Sequence, residues 1–391
     1  MTNPLDPGTC LPQDHANALL VGRVWQPGTG PVLVKAEAGE LLDLSPLALT
    51  SAELFELDDL PSRLRGARGL RRVAALQDVL DTSWAAAGNP DVPRLLAPCD
   101  LQAVKASGVT FVASMLERVI EEQARGDASR AEEVRRMITS VIGDNLSSVV
   151  PGSPEAMRLK EVLVQQGAWS QYLEVGIGPD AEIFTKAQPM SAVGCGEEVG
   201  IHPKSGWNNP EPEIVLAVNS RGTVLGAALG NDVNLRDFEG RSALLLGKAK
   251  DNNASCAIGP FIRVFDDNFS LDDVRRCEIA LEVRGAGDFQ LNGRSSMAMI
   301  SRDPLDLVSH AMGPTHQYPD GMMLFLGTMF APTQDRHGPG MGFTHEVGDV
   351  VSISTPRLGT LVNRVDHSDR IPPWTFGTLA LMRSLAARVP S

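Results

Sequence analysis

The sequence predicts an α+β fold, mostly β, with a smaller N-terminal domain over residues 1–97 and a larger domain over 98–391. Three observations predict it. A proline-rich stretch near Asn89-Pro90 separates an N-terminal unit from the larger remainder of the chain. Helical periodicity comes next. From about Leu173 onward, short apolar or alternating runs divided by Gly, Pro, Asn and Asp take over, which is the pattern of strands and turns.

The N-terminal unit mixes a strand at Leu19 to Val24 with a helix at Leu47 to Leu57, and its boundary falls near Leu95-Leu96-Ala97-Pro98. Beyond it, Phe111, Met115, Val119 and Ile120 recur at helical spacing, and a second helix is expected around Ala131 to Ile142. A third starts at Ser153-Pro154-Glu155, where serine caps, proline suits the first turn and glutamate suits the positive end of the helix dipole. In the β region, Asp349 to Ser354, then Pro356 to Gly359, then Thr360 to Val365 read as strand, turn and strand. Only Asp303 to Met312 and Leu379 to Ala387 read as helices there.

Composition is that of an ordinary soluble protein, 43% hydrophobic and 21% charged, with no apolar run approaching a membrane span. The start, Met1 to Asp6, has neither a basic region nor an apolar segment, so a cytoplasmic location is expected. Five cysteines without CxxC spacing argue for buried thiols rather than a disulfide framework or a zinc site. The formal net charge of −13 gives no electrostatic reason to approach nucleic acid or an anionic membrane. The histidines show no ligand spacing such as His-x-x-x-His. Gly226 to Gly230 lacks the spacing of a dinucleotide loop and is expected to permit close packing. Ser255 and Cys256 have no neighbouring base, so neither reads as a nucleophile.

The most informative stretch runs from Glu211-Pro212-Glu213 to Gly230-Asn231-Asp232. Ile214 to Asn219 and Thr223 to Leu229 read as two strands joined by a tight turn at Ser220-Arg221-Gly222. Pairing about Arg221 sets Asp232 opposite the start of the first strand. Glu211 and Glu213, two apart, share a face, so all three carboxylates converge at the open end of the hairpin. Such an all-oxygen cluster is a hard-cation site, because carboxylates this close raise one another's pKa unless a divalent ion neutralises them. The alternative is a solvated strand end carrying ordinary surface carboxylates.

Glu211-Pro212-Glu213, Asn231-Asp232, Arg236-Asp237, Lys250, Gly327-Thr328 and Gly342 through Asp349 together resemble the fumarylacetoacetate hydrolase superfamily, from about residue 100 to the end. The resemblance implies a mixed β-roll catalytic domain after the N-terminal domain, a homodimer or homotetramer, and magnesium, with manganese as the alternative, on Glu211, Glu213 and Asp232. Phe238 to Ser242 and Ala249 to Pro260 carry the likeness closest to the sugar-acid dehydratases of oxidative pentose catabolism. Two departures from the hydrolases point the same way. Ser114 stands where hydrolases carry a water-activating histidine, and Glu182-Ile183-Phe184-Thr185-Lys186 replaces their apolar-Phe-x-Lys strand.

The implied reaction is dehydration of a small 2-keto-3-deoxy-pentonate (2-keto-3-deoxy-D-xylonate) to 2-oxoglutarate semialdehyde through a metal-stabilised enolate. Glu182 is the expected acid/base, Lys250 holds the enolate oxygen or exchanges the proton, and Glu117 matches a glutamate on the hydrolases' mobile helix. Gly327 and Thr328 would receive the substrate carboxylate. Phe111 is expected beside the substrate, and Arg236 either binds substrate or orients the metal carboxylates through a forked hydrogen bond. An acylpyruvate-type hydrolase or decarboxylase is the alternative, and a silent sugar-acid-binding member a third reading.

Overall fold

The computed structural model describes residues 3–142, 149–165, 169–338 and 341–388. The hairpin read from the sequence lies at its centre. Pro212–Val218 pairs antiparallel with Val224–Asp232, Pro212 opposite Asn231 and Glu213 opposite Gly230. These strands read as unbroken apolar runs because both of their faces are covered. Ile214 and Leu216 belong to one hydrophobic core, Val215 and Ala217 to another.

The hairpin sits within an eleven-stranded sheet. Beyond Val224–Asp232 it continues through Cys256–Val264, Leu20–Gln26, Gly30–Glu37, Glu40–Asp43 and Arg72–Ala75, with Arg94–Leu96 also pairing with Leu20–Gln26. Beyond Pro212–Val218 it continues through Met322–Phe325, Ala103–Gly108 and Glu182–Ala187. Strands of the N-terminal unit thus extend the same sheet, Leu20 opposite Arg263 and Val21 opposite Ile262. The sheet is mixed: Met322–Phe325 runs parallel to Ala103–Gly108.

A second sheet of five strands runs Gln290–Ser296, Glu278–Arg284, Val350–Thr355, Gly359–His367 and Glu198–Ile201. Val350–Thr355 and Gly359–His367 form the expected antiparallel hairpin. Val351, Ile353 and Leu361 from this sheet share the core of Ile214, Leu216 and Leu229. On the opposite face, Leu54, Phe55 and Leu60 from the helices Ser51–Glu56 and Leu60–Gly66 pack with Val215, Ala217, Ala228 and Phe325.

The predicted helical region forms Val112–Gln123, Ala128–Ile142 and Pro154–Gln165. Met115, Val119 and Ile120 share a third core with Tyr172, Leu173 and Trp207. The β region holds more helix than the two segments read from periodicity. Gln171–Ile177, Arg236–Glu239, Leu246–Lys250 and Leu271–Val274 are helical as well, each only one or two turns and too short to show an amphipathic repeat. All five cysteines are buried and free. Among the described residues, no helix is long and apolar enough to cross a membrane.

Candidate metal centre and active site

The open end of the hairpin brings Glu211, Glu213 and Asp232 together, with one oxygen from each within 4.8 Å of the others. Backbone bonds hold the convergence: the Asp232 amide donates to the Glu211 carbonyl at 3.1 Å, and the Glu211 amide donates to Asn231 Oδ1 at 3.1 Å. All three carboxylates are at most 2% exposed, which excludes the solvated strand end.

Cations meet this cluster from three elements. Lys250, last residue of its short helix, places Nζ 2.5 Å from Glu211 Oε2 and 3.1 Å from Asp232 Oδ2. Lys186 reaches Asp232 Oδ1 at 2.8 Å from the strand Glu182–Ala187. Arg118, on the helix Val112–Gln123, touches Glu211, Glu121 and Glu239. Gly327 donates its amide to Glu213 Oε2 at 2.8 Å. Its φ of 97° and the 2.0 Å approach of Thr110 Oγ1 to any Cβ leave room only for glycine.

One small pocket is lined by Glu182, Glu211, Glu213, Asp232, Glu239, Lys250, Arg118, Tyr172 and Thr328. Fully ionised, its five carboxylates face Arg118, Lys250 and the adjacent Lys186, leaving two negative charges, the complement of one divalent cation. Burial, then the Asp232 charge, pushes Glu213 well above the ordinary carboxylate range. Asp232 moves down instead: burial opposes its charge, but Lys186 and Lys250 outweigh it. Burial, then the Glu239 charge, pushes Glu182 up to about 7 against the pull of Lys250 and Arg118. A hard ion suits this donor set, since the three carboxylates supply oxygen only and a cation there relieves the cost that raises Glu213.

The other residues expected at the site lie elsewhere. Glu117 pairs with Arg135 at 2.8 Å and stands 3.6 Å from Arg236. Arg236 reaches Glu121 at 2.8 Å and stacks over Trp207, and no described contact joins it to the three carboxylates. Arg118 occupies the carboxylate-pairing position expected of Arg236. Phe111 is buried, bridges to Ile300 and does not line the pocket. Ser114 is buried with its hydroxyl turned back onto the Phe111 carbonyl at 2.9 Å.

Sequence reasoning passed over Arg118, Glu239 and Tyr172. A signal existed for the first: Ser114, Arg118 and Glu121 share one helical face, so Arg118 lies on the inward side of an amphipathic helix. A larger cleft of about 440 Å³, lined by Trp25, Arg94, Trp374 and Phe376, holds none of the three clustered carboxylates. Cavity size and the carboxylate cluster thus pick out different places in the molecule.

The family model described as fumarylacetoacetate (FAA) hydrolase, C-terminal, matches residues 168–366. A 2-dehydro-3-deoxy-D-arabinonate dehydratase of Saccharolobus solfataricus is 31% identical over 193 residues, 49% of this chain and 60% of the relative. A probable 2-keto-3-deoxyxylonate dehydratase of Haloferax volcanii is 29% identical over 194 residues, 50% of this chain and 63% of the relative. The chain thus spans about three-fifths of the length of these relatives. A solved 2-keto-3-deoxy-D-arabinonate dehydratase complexed with magnesium and 2,5-dioxopentanoate superposes with a TM-score of 0.61 at 20% identity, covering 89% of this chain and 99% of that one. A fumarylacetoacetate hydrolase from Exiguobacterium antarcticum superposes at 0.52 and 18% identity, over 90% and 100%. At such identities the superpositions carry the fold. The family match spans just over half of the chain and includes all three clustered carboxylates together with Glu182 and Lys250, and the protein belongs to the fumarylacetoacetate hydrolase family.

Proposed function

We propose that this protein is a magnesium-dependent hydro-lyase that removes water from a 2-keto-3-deoxy-pentonate to give 2-oxoglutarate semialdehyde, which is 2,5-dioxopentanoate. The observation that carries the reading is the single pocket in which Glu182 and Lys250 face the cluster of Glu211, Glu213 and Asp232. The names of the two curated relatives support the substrate class. Those names converge chemically. In the D series, xylonate and arabinonate differ only at carbons 2 and 3, so their 2-keto-3-deoxy derivatives are one compound with its sole stereocentre at carbon 4.

A divalent ion on Glu211, Glu213 and Asp232 supplies Lewis-acid polarisation of the ketone and a counter-charge for the carboxylate. The chain's own residues do the rest. Glu182 takes the proton from carbon 3, and Lys250 presents its ammonium to the oxygen on which negative charge develops, stabilising what exists only after that proton leaves. Glu182, then protonated, delivers the proton to the departing hydroxyl of carbon 4. A group near 7 suits both halves of this exchange. The C3–H and C4–O bonds break, water leaves, and a C3–C4 double bond forms. A proton then moves from carbon 5 to carbon 3, and the resulting enol ketonises at carbon 4 to leave an aldehyde at carbon 5. Thr328 lines the pocket, and its hydroxyl, which donates to the Phe330 carbonyl at 3.1 Å, would turn from that carbonyl to receive the substrate carboxylate.

Ser114 favours this reading over carbon–carbon bond hydrolysis, because its hydroxyl is tied to the helix backbone and no water-activating base stands in its place. Offering purified protein 2-keto-3-deoxy-D-pentonate and an acylpyruvate side by side tests the choice. Loss of water from the first without cleavage of the second is expected; cleavage of the acylpyruvate alone overturns the proposal.

A further inference from the structure

Gly108 ends the strand Ala103–Gly108 and Glu182 begins the strand Glu182–Ala187, and the two residues stand directly opposite each other. Both line the pocket. A β-carbon at position 108 would lie 1.7 Å from Glu182 Oε2, 2.6 Å from its Cδ and 3.2 Å from its Cγ. The Glu182 side chain therefore folds across its neighbour's α-carbon, through space that any other residue at 108 would fill.

The usual reasons for a glycine do not apply here. The backbone at 108 is outside the left-handed region, so alanine meets no conformational strain. The atoms in the way belong to the end of a flexible side chain, which moves at small cost by changing rotamer. What an added methyl group would cost is the position of one carboxylate, not the fold.

We infer that Gly108 is a positioning residue, whose missing side chain forms the slot that aims the Glu182 carboxylate into the pocket. The inference rests on the acid/base role proposed above for Glu182. A proton-transferring group must stand within hydrogen-bond reach of its target, and a misplacement of about 1 Å costs on the order of 10²-fold in rate. Glu211, Glu213 and Asp232 take their positions from another hairpin, so the metal site does not depend on the slot.

The test is a double-mutant cycle on the full chain, reading dehydration of 2-keto-3-deoxy-D-pentonate and, separately, magnesium affinity by calorimetric titration. Gly108→Ala is expected to lower kcat about 10²-fold with magnesium affinity and thermal midpoint unchanged. In a Glu182→Gln background, where no base remains to be aimed, the same change is expected to lower kcat no further. Additive losses would show that Gly108 acts on something other than Glu182 and would overturn the inference. So would near-parent turnover by Gly108→Ala beside an impaired Glu182→Gln. Near-parent turnover by Glu182→Gln is a different failure: it removes the acid/base reading and the inference with it.

Discussion

Lys186 Nζ stands 2.8 Å from Asp232 Oδ1 with its side chain fully buried. It also donates to the carbonyls of Val233 and Lys250, so one ammonium ties the Glu182–Ala187 strand, the end of the hairpin and the short helix that carries Lys250. Removing one partner of a buried pair leaves an uncompensated charge, typically costing about 3–5 kcal/mol. Lys186→Met is expected to lose stability towards the lower end of that range, since Asp232 keeps Lys250. Urea unfolding reads it as a lower midpoint at unchanged slope. A parent-like midpoint would show that the pair contributes nothing.

The pH profile at saturating magnesium tests Glu182. Its carboxyl, raised to about 7 by burial and then by Glu239, must be ionised to accept a proton. Below 7 the protonated fraction grows, so kcat/KM is expected to fall about tenfold per pH unit on the acid side and level off above. A divalent ion in the triad adds positive charge nearby and moves this limb to lower pH. In Glu182→Gln the limb should vanish and kcat should drop about 10²–10⁴-fold. An unaltered limb in that variant would assign it to another group.

Glu213 offers a metal-specific prediction. Glu213→Gln keeps the shape but removes one of three anionic donors and leaves the Gly327 amide bonded to a neutral oxygen. Magnesium affinity is expected to fall at least on the order of 10–100-fold by calorimetry, the range seen when groups supporting a metal site are lost. Retained affinity would place the ion elsewhere.

Away from the site, Asp349 accepts from Arg336 at 2.6 and 2.8 Å and meets His345 Nδ1 at 3.0 Å. Burial opposes its charge, but these partners hold its pKa down to about 2. A carboxyl depressed on folding adds stability above its unfolded value of about 3.9, and that stability is lost as pH falls towards 2. The difference corresponds to about 2–3 kcal/mol. Asp349→Asn is therefore expected to lower stability at pH 7 by an amount that shrinks between about pH 4 and 2. A pH-independent deficit would assign the loss to packing.

The part of the site that obeys local rules was legible in the sequence. A two-residue repeat and one tight turn suffice to set Glu211 and Glu213 on one face opposite Asp232, and the observed register differs from pairing about Arg221 by a single residue in the sum. Arg118 was not legible as a partner of Glu211, because the two are 93 residues apart and come together only when the helix packs. The same holds for Met322–Phe325, which pairs with Ala103–Gly108 far back in the chain. Arg236 illustrates the converse. The family resemblance implied that it binds substrate or orients the metal carboxylates, yet the short helix Arg236–Glu239 turns it towards Glu121 and sends Glu239 to the pocket.

The most direct measurement is formation of 2-oxoglutarate semialdehyde from 2-keto-3-deoxy-D-pentonate, coupled to an NAD(P)-dependent semialdehyde dehydrogenase, with magnesium and after its removal by chelation. Turnover with magnesium, loss on chelation and recovery when the ion is restored are expected of a metal-dependent dehydratase. Turnover indifferent to the ion, or none under conditions where the coupling enzyme oxidises added semialdehyde, would contradict that assignment.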